Sequence, residues 1–459
     1  MPSGAKSVTI FINTALVGMP MSVFKAYDVR GVYGEDLTDD IAYRTARAFA
    51  AQFSPKKVAI GHDMRPSSKP LVDAAIRGFI DSGAHVLDIG MCTSPMLGFT
   101  VASMQLDGGI MVTASHNPKQ YNGLKLLAKK ALQVHSGSGM KEIEKLALAG
   151  GWTDGPKGSV EKMDIMLSYL KHVKAFAKDI KGIKIVVDAG NGMGGFTAQP
   201  MFSQLDIELV PMYFEPDGNF PNHEANPIKP ETLAELQHRV VAQGADLGIA
   251  FDGDADRARV IDEKGNAISS DLLFAALMTH ELPGQQDRKV YYDLRFSKAV
   301  PEAVKAAGGE PVIMRVGNPF YKEKLQSEGG YCAAELSGHI MYRDNYCVDD
   351  GLFAVVMALS MRCQTGKAMS ELIAPFTTHV QSEELNFTVK DTAAALAALQ
   401  HAFTDAAASF LDGVTLEGDG WWFNARASNT EPLLRVRAEA DNQQLLDKTI
   451  ATVRKTLEE

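Results

Sequence analysis

Three stretches of this 459-residue chain repeat one plan. "VAIGHDMRPSS" (58–68), "IKIVVDAGNGMGG" (183–195) and "KVYYDLRFSKAV" (289–300) each begin as a short apolar strand. Each then turns through an aspartate at the strand's end and enters a helical stretch. A short continuous apolar run bounded by a turn fits a strand buried on both faces, and a helix after each such strand makes an α/β unit. Recurrence at intervals above a hundred residues points to three such units with buried sheets. A single large α/β domain would produce the same pattern. Length favours division, since at about 100–200 residues per domain a chain of this size holds three or four.

The expected divisions follow from composition and turn chemistry. Residues 1–22 read as an extension. Val8 to Met19 follows Lys6 and faintly resembles a signal peptide, but Asn13 and Thr14 interrupt it and no small-x-small cleavage site follows. Residues 23–155 form the first α/β unit, closed by the loop-like "LALAGGWTDGPKGS" (146–159). The second unit covers 156–266 and the third 267–375. From 376 to 459 the character changes to α+β: "HVQSEELNFTV" alternates like a strand, and Thr392 to Phe410 reads as an Ala-rich helix. "WWFNARASNTEPLLRVRAEA" then reads as strand, loop, strand before a final helix.

Bulk properties exclude several classes. Hydrophobic content of 46% and charged content of 22% are those of a soluble globular chain. A net charge of -10 argues against a nucleic-acid partner, while leaving room for small anionic substrates that need only local positive charge. Cys92, Cys332, Cys347 and Cys363 form no CxxC pair, which fits reduced thiols in a cytoplasmic protein. No apolar run approaches the ~20 residues of a membrane span.

Four stretches carry candidate chemistry. In "GGIMVTASHNPKQYNG" (108–123) an apolar run ends in Ser115 and His116, and Pro118 forces Asn117 away from the α region. The loop therefore lies at the carboxyl end of a strand, where α/β proteins bind ligands, with Lys125 shortly downstream. An ordinary turn has the same composition. In "FDGDADR" (251–257) Asp252, Asp254 and Asp256 alternate around Gly253, a spacing that wraps a hard cation such as Mg²⁺, and Arg257 follows. An acidic solvated turn is the bland alternative. In "AELSGHIMYRDNY" (334–346) Glu335, Ser337 and His339 alternate, which in an extended loop points all three to one side, toward a polyhydroxy ligand. A half-buried strand reads the same way. In "RASNTEPLLRVR" (426–437) Arg426, Ser428, Asn429 and Thr430 precede a turn at Glu431-Pro432 and suit a phosphate.

Together with "FKAYDVRG" (24–31), these motifs in this order resemble the α-D-phosphohexomutase superfamily, most closely its bacterial phosphomannomutase/phosphoglucomutase branch. The resemblance runs from about Phe24 to the C-terminus. It implies four domains in a heart-shaped arrangement around a central cleft: three similar α/β mixed-sheet domains and a C-terminal α+β domain. It further implies that Ser115 is carried as a phosphoserine. A phosphoryl group would move reversibly between the 1- and 6-positions of a hexose phosphate through a bound hexose 1,6-bisphosphate, which also serves as activator. On the same basis Asp252, Asp254 and Asp256 hold Mg²⁺ with an oxygen on Ser115. His116 and Arg257 lie at the transferring group, and Lys125 and Arg30 are acid/base or electrostatic candidates. Glu335, Ser337 and His339 face the sugar. Tyr27 and Arg295 join the substrate site, and Arg426, Ser428, Asn429 and Thr430 grip the phosphate that is not reacting. The expected partner is a small phosphosugar, and the expected state a monomer or weak homodimer.

Two positions depart from the closest branch. Val316-Gly317-Asn318-Pro319 stands where that branch reads Thr-Gly-His, and Arg295 stands where it often has lysine. The first departure leans toward phosphoglucosamine mutases; Leu336, in place of their glutamine, leans away. A metal-dependent sugar-phosphate phosphatase would use the same serine and metal parts.

Overall fold

The computed structural model describes residues 23–427 and 433–458. The extension read at 1–22 lies outside them. The first sheet contains β1 (Val29–Val32), β2 (Lys57–His62), β3 (His85–Met91), β4 (Gly108–Val112), β5 (Tyr121–Ala128) and β6 (Ser159–Lys162), in the order β1-β5-β4-β2-β3-β6. The second contains β7 (Lys181–Asp188), β8 (Asp206–Met212), β9 (Leu247–Phe251) and β10 (Ala258–Asp262), ordered β10-β9-β7-β8. The third contains β11 (Lys289–Asp293), β12 (Glu310–Met314), β13 (Cys332–Ala334) and β14 (Ile340–Tyr342), ordered β14-β13-β11-β12.

One four-stranded core therefore recurs three times. Strands β5, β10 and β14 run antiparallel to β4, β9 and β13. These three pair in parallel with β2, β7 and β11, which pair in parallel with β3, β8 and β12. Every residue of β4, β9 and β13 is buried, which is why their sequences are continuous apolar or small runs with no alternation. The sheets are mixed, as expected of three similar α/β units.

The same turn follows β2, β7 and β11. The backbone N–H of Arg65 donates to Asp63 Oδ1 at 3.0 Å, that of Gly190 to Asp188 Oδ1 at 2.8 Å, and that of Arg295 to Asp293 Oδ1 at 2.9 Å. An aspartate that accepts from the N–H two residues on closes the turn locally. All three aspartates are buried, and each turn meets the loop that leaves the neighbouring strand, through Thr113 Oγ1 to Asp63, Met193 N–H to Gly253 O and Leu336 N–H to Asp293.

The C-terminal sheet is different: β15 (Val380–Gln381), β16 (Leu385–Phe387), β17 (Ala407–Ser409), β18 (Val414–Gly418), β19 (Trp421–Ala427) and β20 (Leu434–Ala440) pair antiparallel, with β20 central to β15, β16 and β19. Helices Thr392–Ala402 and Gln443–Glu458 accompany it. Its apolar core, built on Phe423, Val436 and Val453, is separate. A larger apolar cluster runs without a break from Ala59 in the first unit to Ile373 at the end of the third.

Two boundaries differ from the sequence reading. Strand β6 pairs in parallel with β3, so the first unit extends beyond 155 to Lys162. "GSVEK" lacks the apolar run that marks the other strands because all four residues of this edge strand are exposed. The helix read from Thr392 to Phe410 stops at Ala402, and Ala407–Ser409 pairs with β18 instead. Alanine propensity yields there to an open sheet edge. Among the described residues no helix is long and apolar enough to cross a membrane.

Candidate active site

Ser115 leaves the buried end of β4 in the left-handed region, with φ of 49°. For a residue other than glycine this conformation is uncommon and costs about 1–3 kcal/mol, so the surroundings must hold it. Asn117 N–H donates to Ala114 O at 3.0 Å, closing the turn expected of Asn-Pro. The hydroxyl is buried yet fully engaged: Ser115 Oγ donates to Asp252 Oδ2 at 2.8 Å and accepts from Arg257 Nη2 at 2.8 Å. His116 Nδ1 lies 3.2 Å from Ser115 Oγ and also meets Arg257 Nη2. Burial, then Arg257, holds the His116 imidazolium well below the ordinary histidine range, so the ring is neutral.

The acidic loop leaves β9 and meets this serine directly. A Cβ on Gly253 would stand 2.2 Å from the Ser115 carbonyl oxygen, so only glycine permits the approach. Asp252, Asp254 and Asp256 bring carboxylate oxygens within 4.8 Å of one another, all buried. Lys125 on β5 binds Asp254 Oδ2 at 2.6 Å and also reaches Asp256. Burial disfavours the Lys125 cation, but Asp254 and Asp256 outweigh it and raise its pKa. Burial likewise pushes the Asp252 carboxyl up to about 7, against the pull of Arg257. Asp254 Oδ1 is buried without a hydrogen-bonding partner among the described residues, and Asp256 Oδ1 makes only ion-pair contacts, with His339 Nε2 at 3.4 Å and Arg257 Nε at 3.5 Å. A buried carboxylate oxygen without a donor in a three-aspartate cluster fits a hard cation.

The third unit contributes a tight turn where an extended loop was expected. Glu335 N–H donates to His339 O at 2.9 Å and Gly338 N–H to Glu335 O at 3.0 Å, so β13 and β14 are joined by a hairpin. The three side chains gather all the same, with Ser337 Oγ 3.0 Å and His339 Nδ1 3.1 Å from Glu335 Oε2. Burial opposes both charges of this pair. His339 nevertheless holds Glu335 down to about 2, while Asp256 and Glu335 hold His339 up to about 9.

Asn318 opens the helix Asn318–Glu328, and its Nδ2 donates to Asp349 Oδ2 at 2.7 Å. Lys322 pairs with the same Asp349. Gly317, at φ of 127°, brings its backbone so close to Tyr27 that a Cβ would stand 2.8 Å from the phenolic oxygen. Arg30 pairs with Asp28 and donates to Asn117 Oδ1 at 2.7 Å. Arg295 and Arg426 both reach Glu384 Oε1, at 3.1 and 3.2 Å, and Arg435 reaches Glu384 Oε2 at 3.3 Å. Ser428, Asn429, Thr430, Glu431 and Pro432 lie outside the described residues.

A cleft of about 280 Å³ brings these groups together. The first unit lines it with Tyr27, Arg30, Ser115, His116 and Lys125, and the second with Asp256 and Arg257. Arg295, Asn318, Glu335, Ser337 and His339 come from the third unit, and Arg426 from the fourth. Asp252 and Asp254 lie beneath its floor against Ser115 and Lys125. Sequence reasoning assigned no role to Arg65, Asp349 or Glu384. A usable signal existed for the first: Asp63-Met64-Arg65 repeats as Asp293-Leu294-Arg295 after the corresponding strand.

The same division appears in known proteins. Residues 21–152, 167–265 and 269–379 match "Phosphoglucomutase/phosphomannomutase, alpha/beta/alpha" domains I, II and III, and 384–456 match the "C-terminal domain". The "Phosphomannomutase/phosphoglucomutase" of Pseudomonas aeruginosa is 35% identical over 452 residues, 96% of each chain. The chain belongs to the phosphoglucomutase/phosphomannomutase family. A second family relative, "Phosphohexose mutases" of Xanthomonas campestris, is 36% identical over 94% of this chain and 98% of its own. Among solved structures, a family protein from Burkholderia thailandensis superposes with a TM-score of 0.90 at 31% identity, covering 96% of this chain and 98% of that one. Membership places the chain in the α-D-phosphohexomutase superfamily, and the family's order of domains is the order of the four sheets here.

Proposed function

We propose that this protein moves a phosphoryl group between the 1- and 6-positions of mannose and glucose phosphates, with Ser115 carried as phosphoserine and a hexose 1,6-bisphosphate retained between two half-reactions. The observation that carries this reading is the setting of one serine. Ser115 Oγ is buried in a strained turn, 2.8 Å from both Asp252 and Arg257, in a cleft that Arg295 and Arg426 also line. The hexose assignment draws on the family and on relatives at 34–36% identity that carry phosphomannomutase, phosphoglucomutase and phosphohexose mutase names.

In the first half-reaction the P–O bond to Ser115 Oγ breaks and a P–O bond to the free sugar hydroxyl forms. His116, neutral at the cleft floor, can accept the hydroxyl proton, and Lys125, held protonated by Asp254 and Asp256, can donate one when the serine leaves. Arg257 stays on the transferring group through its contact with Ser115 Oγ. Asp252, Asp254 and Asp256, with Ser115, would hold Mg²⁺, which when bound would supply positive charge for phosphoryl transfer. Glu335 and Ser337 hold the 3- and 4-hydroxyls that both sugars share, with His339 bracing Glu335. Arg426, with Ser428, Asn429 and Thr430, grips the distal phosphate; Arg295 and Tyr27 complete that wall. After the bisphosphate turns over, the other phosphate returns to Ser115. This chemistry belongs to a soluble cytoplasmic enzyme of carbohydrate metabolism, acting as a monomer or weak homodimer.

The test combines mass and kinetics. Intact-mass spectrometry is expected to find phosphate on Ser115 after incubation with glucose 1,6-bisphosphate. With a trace of that activator, mannose 1-phosphate and glucose 1-phosphate are expected to yield 6-phosphates, with glucosamine phosphate poorer. Absence of the phosphate mass, or release of inorganic phosphate in place of 6-phosphate, overturns the mutase reading. A preference for glucosamine phosphate above tenfold replaces the hexoses with the sugar that Asn318 pointed to.

A further inference from the structure

We infer that Arg65 is a positioning residue for phosphoryl transfer: it holds the backbone of the Ser115 loop so that the serine's Oγ, and no other group, faces the acidic loop. The inference rests on the reading of Ser115 as the phosphoryl carrier. Arg65 touches no cleft surface and its side chain is wholly buried. A guanidinium has five N–H donors, and here five acceptors meet them. Nη2 donates to Ser115 O at 2.9 Å and Asn117 O at 2.6 Å, and Nη1 to Pro118 O at 2.8 Å and Tyr121 O at 2.9 Å. Nε donates to Asp63 Oδ2 at 3.2 Å. Four of the five are carbonyls of the segment that carries the chain from Ser115 into β5, where Pro118 O also accepts from Tyr121 N–H at 3.0 Å. Without the arginine the buried Ser115 would lose the donor to its carbonyl.

The hold on Ser115 is two-sided. Asp63 Oδ2 also accepts from Thr113 Oγ1 at 2.7 Å, and Thr113 Oγ1 accepts from Ser115 N–H at 2.9 Å. The Asp63–Arg65 pair thus fixes both the N–H and the C=O of a serine at positive φ. The second domain closes over the pair. The ring of Phe220 lies 5.0 Å from the Arg65 guanidinium carbon, and a Cβ on Gly218 would stand 2.5 Å from the Arg65 Cα. The carbonyl that Arg65 holds is the one that Gly253 approaches, so one oxygen sets the serine loop against both the arginine and the acidic loop. Lysine keeps the charge, but a point donor cannot bridge four carbonyls in a plane.

The experiment compares Arg65→Lys with the wild-type enzyme after circular dichroism and thermal melting show it folded. Misplacing the attacking atom by about 1 Å costs about 100-fold in rate, so kcat is expected to fall at least that far while KM for glucose 1-phosphate stays within about threefold. A second readout is free of turnover: protein phosphorylated with glucose 1,6-bisphosphate, then freed of it, is followed by intact mass. The variant is expected to lose its Ser115 phosphate to water at least tenfold faster than wild type. A kcat near wild type, or phosphoserine as long-lived as wild type, overturns the inference. Should Arg65→Lys not fold, Phe220→Ala, which removes only the ring over the guanidinium, takes its place. A fivefold or larger loss of kcat with faster phosphoserine hydrolysis supports the inference, and wild-type behaviour overturns it. A wild-type enzyme that never takes phosphate on Ser115 overturns the carrier reading itself. A phosphorylated wild type with an unaffected Arg65→Lys overturns only the positioning role.

Discussion

Asp63–Arg65 in the first domain and Asp293–Arg295 in the third occupy the same corner of equivalent sheets, and they do different things. Each aspartate closes its turn on the backbone N–H of its arginine, and each accepts from the arginine's Nε. Beyond that point the partners diverge. Arg65 meets four carbonyls of one loop, whereas Arg295 meets carboxylates: Asp293 again, Glu384 of the fourth domain at 3.1 Å and Glu335 at 3.7 Å. An arginine surrounded by carbonyls stiffens backbone. One surrounded by carboxylates from two domains joins those domains and keeps its face on the cleft, where an anion can compete for it. One structural device thus immobilises the serine loop in the first domain and ties a separately cored C-terminal domain to the third.

The first-domain half of that comparison breaks most completely at the serine. Ser115→Ala is expected to lower mutase turnover by about four orders of magnitude, because the covalent route is lost, with the melting temperature within a few degrees of wild type. A coupled glucose 6-phosphate assay beside a thermal melt checks both halves. Next in size is the acidic loop that the held serine faces. Asp254→Asn is expected to weaken Mg²⁺ binding by more than about 100-fold in titration calorimetry, since a hard cation loses an anionic ligand. Unchanged affinity would remove Asp254 from the ligand set.

The anion-facing half is probed at the fourth domain. Arg426→Ala is expected to raise KM for glucose 1-phosphate about 10–100-fold, the size of a lost charge-assisted contact, with kcat changing less. A fall in kcat at constant KM would mean that Arg426 acts on the reacting phosphate.

The smallest effect on activity concerns the third domain's interior. Burial pushes the Glu281 carboxyl up to about 8, although Tyr331 and Tyr342 donate to it at 3.0 and 3.3 Å. A carboxyl whose folded pKa is raised contributes stability below its unfolded value near 4.3 and loses it as pH rises toward 8. Wild-type stability is therefore expected to fall between pH 5 and 8 by up to about 1.4 kcal/mol per pH unit from this group. Glu281→Gln should flatten that slope in urea titrations while leaving kcat near wild type.

Legibility in the sequence followed the range of the interactions. The strand-turn-helix units, the Asn-Pro turn after Val112 and the alternating aspartates after Phe251 rest on contacts within a few residues, and residue type decides those. Edge strand β6 was invisible because an exposed strand carries no apolar signature. The helix expected through Phe410 ended early because a sheet edge eight residues away in the chain competed for Ala408, which pairs with Leu416. In the site, the side chains that do chemistry were legible and those that hold them were not. Asn318, expected at the substrate where the related branch has a histidine, lines the cleft, and its hold on Asp349 was not legible.

What the chain order alone decides here is the inventory: a hydroxyl after one strand, three carboxylates after another, a sugar-facing turn and an arginine wall, in four domains. What only the tertiary structure decides is which backbone these parts lean on. Arg65 meets carbonyls 50 to 56 positions away, and Ser115 meets Asp252 at a separation of 137. Hydrogen bonds at such separations depend on where whole sheets come to rest. A guanidinium does not record in its own sequence neighbourhood whether carbonyls or carboxylates will surround it.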